Sequence, residues 1–129
     1  MLRAREKHMP VVALANMLLG PADVARRMGL SIKTLRHYEK RGLLKPRRTA
    51  KGWRVYDREH LERLDRIQAF KAMGFGLAQI AGLLDATPEA LAAALTGQEL
   101  HLEGEARRIA EALDAVRAKR GRPETRAAA

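Results

Sequence analysis

Twelve basic side chains fall between residues 26 and 58: Arg26, Arg27, Lys33, Arg36, Lys40, Arg41, Lys45, Arg47, Arg48, Lys51, Arg54 and Arg58. Only Glu39 and Asp57 oppose them there, so this stretch carries the whole +10 formal charge of the 129-residue chain and the remainder is neutral. Charge so concentrated suits a polyanion, nucleic acid first and an acidic membrane surface second, with a solvated basic face as the plain structural reading. Other chemistry finds no footing. The absence of cysteine excludes disulfides, thiolate metal sites and a cysteine nucleophile. His8, His37, His60 and His101 are dispersed and stand in no metal spacing with acid pairs. Gly74-Phe75-Gly76-Leu77-Ala78-Gln79 lacks the last glycine of a dinucleotide fingerprint and follows a helix, so it reads as a turn. Neither an enzyme nor a cofactor is expected.

The elements that must carry these cations are well punctuated. Gly20-Pro21-Ala22-Asp23 offers a permissive N-cap, proline at the first helical position and an acid in the first turn. Val24, Ala25 and Met28 then share one face while Arg26 and Arg27 point outward, until Gly29 ends the helix. Ser31, the only serine, caps a second helix with Ile32, Leu35 and Tyr38 on its inner side, leaving Lys33, Thr34, Arg36, His37 and Lys40 outside. Two short helices joined through glycine and serine, the second basic on its free face, are the sequence form of a helix-turn-helix. After Gly42, Leu43-Leu44 and Pro46 the pattern alternates, and residues 47–56 read as two short strands around a turn at Lys51-Gly52, a wing.

Asp57 caps a longer helix with Leu61, Leu64, Ile67 and Phe70 at helical spacing, and a short helix follows through Leu77, Ile80, Leu83 and Leu84. Thr87-Pro88-Glu89 starts an alanine-rich helix, and Thr96-Gly97-Gln98-Glu99 has the form of a capping box, which predicts a break and a new helix to about Lys119. On it Leu102, Ala106, Ile109, Leu113 and Val116 are spaced four, three, four, three, a coiled-coil seam that could equally pack back on its own domain. Residues 1–17 form an extension without clear period, with Leu18-Leu19 a candidate strand, and residues 121–129 read as a disordered tail. Val11 to Leu19 is too short to span a bilayer, and no signal peptide is recognised. A cytoplasmic, nucleoid-associated protein is expected. The partition is then an extension (1–17), a winged helix-turn-helix head suited to DNA (18–85), a helical linker and terminal helix whose seam could pair with a second copy (86–120), and the tail (121–129).

The run from Ala22 to Leu44, containing Thr34-Leu35-Arg36-His37-Tyr38-Glu39, resembles the helix-turn-helix of MerR-type transcriptional regulators. Lys51-Gly52-Trp53-Arg54-Val55-Tyr56 is similar to the start of their wing, and Met73 to Ile80 continues the likeness. The resemblance implies a mainly α fold: a winged helix-turn-helix with a short β-hairpin, followed by a C-terminal helix that forms an antiparallel coiled coil. It further implies a homodimer on pseudo-palindromic promoter DNA, which distorts the spacer so that bacterial RNA polymerase meets both promoter elements. Many members sense metals through cysteines or ligands through a further C-terminal domain, and this chain shows neither.

In such a fold Ser31, Lys33, Thr34, Arg36, His37 and Tyr38 are the candidates for base edges and nearby phosphates, and Lys51, Gly52, Trp53 and Arg54 for the wing's grip on the backbone. Arg36 suits a guanine or a phosphate, His37 could be merely solvated, and Tyr38 divides between core and contact. Gly52 serves the turn first. Trp53 could instead pack on the helices, Val55 and Tyr56 read as core and support, and Arg47 and Arg48 could be simply solvated. Leu102, Ala106, Ile109, Leu113 and Val116 are assigned to the dimer interface. An excisionase-like architectural protein and a protein-interaction adaptor using the terminal helix are the competing readings.

Overall fold

The computed structural model describes residues 18–121. The extension expected at 1–17 and the tail beyond Gly121 lie outside the described residues. The chain divides into two compact units at Ala86/Thr87.

The first unit begins with α1 (Pro21–Met28) and α2 (Ile32–Lys40). Gly20 is extended, Pro21 starts α1, and Gly29 stops it in the left-handed region at φ 72°. There Leu30 N–H donates to the Ala25 carbonyl at 2.8 Å, satisfying a helix-end acceptor. Ser31 Oγ accepts from Thr34 N–H at 3.0 Å, so α2 starts after only three connecting residues. Gly42, at φ 78°, turns the chain after α2, and Leu43 N–H donates back to the Tyr38 carbonyl at 2.9 Å. Val24, Ala25, Met28, Leu35 and Tyr38 are buried as their spacing predicts. Ile32 is the exception, 40% exposed. It occupies the first position of a short helix, about 60° further round than Leu35 for each three-residue step, and so falls off the buried edge.

Strands β1 (Arg47–Arg48) and β2 (Arg54–Val55) pair antiparallel, Arg47 with Val55 and Arg48 with Arg54. Gly52 N–H donates to the Thr49 carbonyl and Thr49 N–H to the Trp53 carbonyl, both at 2.8 Å. Gly52 at φ 84° thus takes the left-handed place in a three-residue hairpin loop that a side chain would resist. Leu19 pairs with Tyr56 through reciprocal backbone bonds of 2.9 and 2.8 Å, so the candidate strand at Leu18-Leu19 is a single bridge at the wing's root.

Helix α3 (Arg58–Ala72) supplies Leu61, Leu64, Ile67 and Phe70 to the core, and α4 (Leu77–Leu83) adds Ile80 and Leu83. The polar side of α3 satisfies carbonyls at or just after neighbouring helix ends: Arg63 Nε donates to the Leu43 carbonyl, Arg66 to Leu84 at 2.8 Å and Gln68 to Met28 at 3.2 Å. Among the described residues no charged side chain is buried in this core.

The second unit is α5 (Pro88–Arg120), one helix of 33 residues capped by Thr87, whose Oγ1 accepts from Ala90 N–H at 3.1 Å. The break expected at Thr96 is absent. A Thr-x-x-Glu run caps a helix only where threonine is extended, and here the flanking alanines, leucines, Gln98 and Glu99 favour continuation by more than the ~1 kcal/mol that Gly97 costs. None of the residues of α5 is buried.

Candidate nucleic-acid interface

The outer face of α2 is built by subtraction. Leu35 and Tyr38 turn inward, which leaves Lys33, Arg36, His37 and Lys40, spaced three, four and seven along the helix, exposed together. Among the described residues Lys33, Arg36 and Lys40 enter no ion pair. Ser31 is exposed, but its hydroxyl is engaged with Thr34 twice, with the backbone N–H and at 2.9 Å with Oγ1. Both residues therefore shape the N-terminus of α2 as well as bordering its free face. Tyr38 is 1% exposed, with Lys71 Nζ 5.9 Å from its ring centroid, so it supports α2 from beneath.

At the wing tip Trp53 is 68% exposed and does not pack on the helices. Lys51 Nζ lies 5.7 Å from its ring centroid, and Trp53 N–H donates to Thr49 Oγ1 at 3.1 Å. The tip thus offers an aromatic face and an ammonium together, apt for sugar and phosphate. Gly52 contributes its turn and its carbonyl, which accepts from Arg48 Nη1 at 2.9 Å.

The root of the wing is tied in three directions. Arg54 Nε donates to Glu39 Oε1 at 2.7 Å and Arg48 Nη2 to Oε2 at 3.4 Å, joining the wing to α2. Arg47 and Asp57 stand 3.3 Å apart. His60 completes a capping box with Asp57: its N–H donates to Asp57 Oδ1 at 3.2 Å, and Asp57 N–H donates to His60 Nδ1 at 3.0 Å. That leaves Nε2–H to donate to the Lys45 carbonyl at 2.9 Å. Tyr56 is 1% exposed and meets the His60 ring edge to face, while Val55 is half-exposed rather than core. Burial, reinforced by Glu39, raises the Tyr56 phenol above its ordinary range, with Arg54, Arg36 and Arg48 opposing. Burial alone would push the Asp57 carboxyl up, but the His60 backbone N–H, the charge of the His60 ring when that ring is protonated, and Arg47 outweigh it and hold it below its ordinary range.

Glu39 and His60 were not singled out by the sequence. Glu39 stands nine and fifteen residues from its partners, and His60 replaces the Glu or Gln that usually marks a capping box. Arg47 and Arg48 are bonded rather than simply solvated. Leu102, Ala106, Ile109, Leu113 and Val116 are all exposed on α5, Ile109 at 64%. Among the described residues no three His, Asp or Glu side chains are grouped to hold a metal ion, and no helix is long and apolar enough to cross a membrane.

Residues 21–87 match the family described as MerR HTH family regulatory protein. The chain is 43% identical over 95 residues to the HTH-type transcriptional regulator SkgA of Caulobacter vibrioides and 38% identical over 95 to the HTH-type transcriptional activator mta of Bacillus subtilis. Each alignment takes in 73% of this chain and 37% of the relative, so the chain spans little more than a third of these proteins. Among solved structures it is similar to MtaN, the N-terminus of the Bacillus subtilis multidrug transporter activator (TM-score 0.72, 36% identity, 78% of this chain and 95% of that one). It is also similar to HiNmlR, a regulator lacking the sensor domain, solved bound to promoter DNA (TM-score 0.59, 28% identity, 76% and 80%).

Proposed function

The chain belongs to the MerR family of DNA-binding transcriptional regulators, and from that premise we propose that it acts as a homodimer on a pseudo-palindromic promoter site, distorting the duplex it binds. In this reading residues 18–85 read DNA and residues 86–120 dimerise. The observation that carries it is the bonding of the wing to α2 through Glu39, which makes the α2 cations and the wing tip one surface. Lys33, Thr34, Arg36 and His37 address the major groove and its phosphates from α2. Lys51 and Trp53 grip the backbone from the wing, Arg54 lends its charge at the wing root, and Ser31, Tyr38 and Gly52 hold these groups in place. A contact spread over helix and wing is suited to bending and untwisting a promoter spacer, which would bring polymerase elements into register.

Support for the dimer comes from α5. Because the helix is continuous, the seam extends back to Leu95, and Leu95, Leu102, Ile109 and Val116 recur every seven residues. Beside the seam the N-terminal half carries Glu103 and Glu105 and the C-terminal half Arg117 and Lys119. An antiparallel partner sets Glu103 and Glu105 near Arg117 and Lys119, pairings that a parallel in-register partner does not offer. HiNmlR, a family regulator lacking the sensor domain and solved bound to promoter DNA, supports DNA binding by a head and helix of this kind.

Sedimentation across the micromolar range should give a dimer, and footprinting should protect two half-sites upstream of a controlled gene. A monomer protecting a single half-site would favour the excisionase-like architecture instead. No protected site at moderate salt would favour the adaptor.

A further inference from the structure

Glu39 is the acid of a helix whose other charged side chains are basic, and it faces the wing. It bonds Arg54 at 2.7 Å and Arg48 at 3.4 Å. Those arginines stand opposite each other on β2 and β1, so one carboxylate holds both strands of the hairpin. The Glu39 and Arg54 side chains are only 25% and 24% exposed, where a charge-assisted bond is less screened than at the open surface. An acid at this position also repels DNA phosphates. A group that opposes phosphate in this way can still serve recognition if it lowers affinity for wrong sequences more than for the right one.

Resting on the DNA-binding reading above, we propose that Glu39 is a specificity-determining positioning residue: through Arg48 and Arg54 it fixes the wing against α2 and withholds two guanidinium groups from indiscriminate phosphate contact. A wing held at one angle reaches its phosphates only when α2 is seated on matching bases. A wing released from Glu39 carries two mobile cations that adapt to any backbone, which favours nonspecific binding.

The test uses the full chain, a duplex selected by the wild-type protein from a random pool, and a scrambled duplex of the same composition, titrated over a salt series. Wild type should prefer the selected duplex by about 1,000-fold or more. No preference would overturn this proposal together with the DNA-binding reading it rests on. Glu39→Ala should bind the scrambled duplex more tightly, steepen the log affinity against log salt slope by about 1 to 2, and cut the preference at least about tenfold. Glu39→Gln loses the charge but keeps an oxygen that accepts from Arg54, so it should gain on scrambled DNA while retaining most of the preference. Equal loss of preference in the two variants would mean that Glu39 acts by charge alone, and unchanged preference in both would mean that it acts by neither route. Either result overturns the proposal with the DNA-binding reading intact. Unchanged melting of both variants guards against a folding defect. Should Glu39→Ala fail to fold, Arg54→Ala in wild type and in Glu39→Gln must give non-additive changes in preference, and additive changes overturn the proposal.

Discussion

The head and the terminal helix place their apolar side chains in opposite ways. Between residues 18 and 86 leucines, isoleucines and aromatics fill a core in which Leu35, Leu61, Leu64, Ile67 and Ile80 have no exposed surface, and α3 side chains satisfy carbonyls at neighbouring helix ends. Between 87 and 121 nothing is buried, yet Leu95, Leu102, Ile109, Leu113 and Val116 line a periodic stripe. The head obtains its stability from its own packing. Helix α5 rests on a threonine cap, a proline start, alanine-rich propensity and basic residues in its last turn, which are small terms beside the apolar area its stripe would bury against another helix.

The comparison breaks most visibly under equal truncations. Leu64→Ala should cost about 2–5 kcal/mol in urea unfolding at every protein concentration, because it opens a cavity inside one chain. Leu113→Ala should cost the isolated chain less than about 1 kcal/mol and act instead on association, so its midpoint should move with protein concentration. Equal, concentration-independent losses would show that α5 completes its core within one chain.

Within the head, the α2 face and the wing tip can be separated on DNA. Lys33→Ala should change binding by about 1–3 kcal/mol on some duplexes and little on others, measured by anisotropy titration, because a base contact carries sequence information. Lys51→Ala should weaken binding evenly and reduce the salt slope by about 1. An even loss from Lys33→Ala would assign Lys33 to phosphate.

Much of this was legible in the sequence because the chain is punctuated by residues with one local role. Gly29, Ser31, Gly42, Gly52 and Asp57 each mark an element end that the structure keeps. Local signals failed where a longer-range or cumulative term decided. The Thr96 signature was outweighed by strong helix formers on both sides, and Ile32 fell off the inner face because a three-residue step leaves it about 60° further round than Leu35. The Glu39 pairing depends on how a hairpin folds back onto a helix, which no spacing encodes. Val55, expected in the core, is half-exposed, because strand alternation across so short a hairpin does not fix which side meets the core, whereas the helical spacing that divided Tyr38 between core and contact resolves to full burial.

Asp57 joins the wing to α3 and has two measurable consequences. Asp57→Ala should cost the head about 1 kcal/mol at neutral pH, the usual worth of an N-cap, by thermal or urea unfolding. Its folded carboxyl lies below the ordinary value of 3.8, so the ionised form stabilises the fold above pH 3.8 and that contribution is lost as pH falls further through the folded value. The gap between wild type and Asp57→Ala should therefore narrow on acidification. A constant gap would remove Asp57 from the acid limb and leave its packing as the cause.

The smallest effect sharpens the comparison through one substitution with opposite signs. Gly97 lies inside α5, and a Cβ added there meets nothing within 4 Å, so Gly97→Ala removes backbone freedom from the unfolded chain without strain. It should stabilise α5 by about 0.5–1 kcal/mol, read as a rise in helical melting by circular dichroism. Gly29 holds φ 72°, a conformation alanine resists, so Gly29→Ala should destabilise the head by about 1 kcal/mol or more. If Gly97→Ala instead lowered the melting temperature, Gly97 would be serving a bend, and the heptad stripe would lose its extension through Leu95. A seam confined to Leu102 through Val116 would then have only about two heptads with which to hold a dimer together.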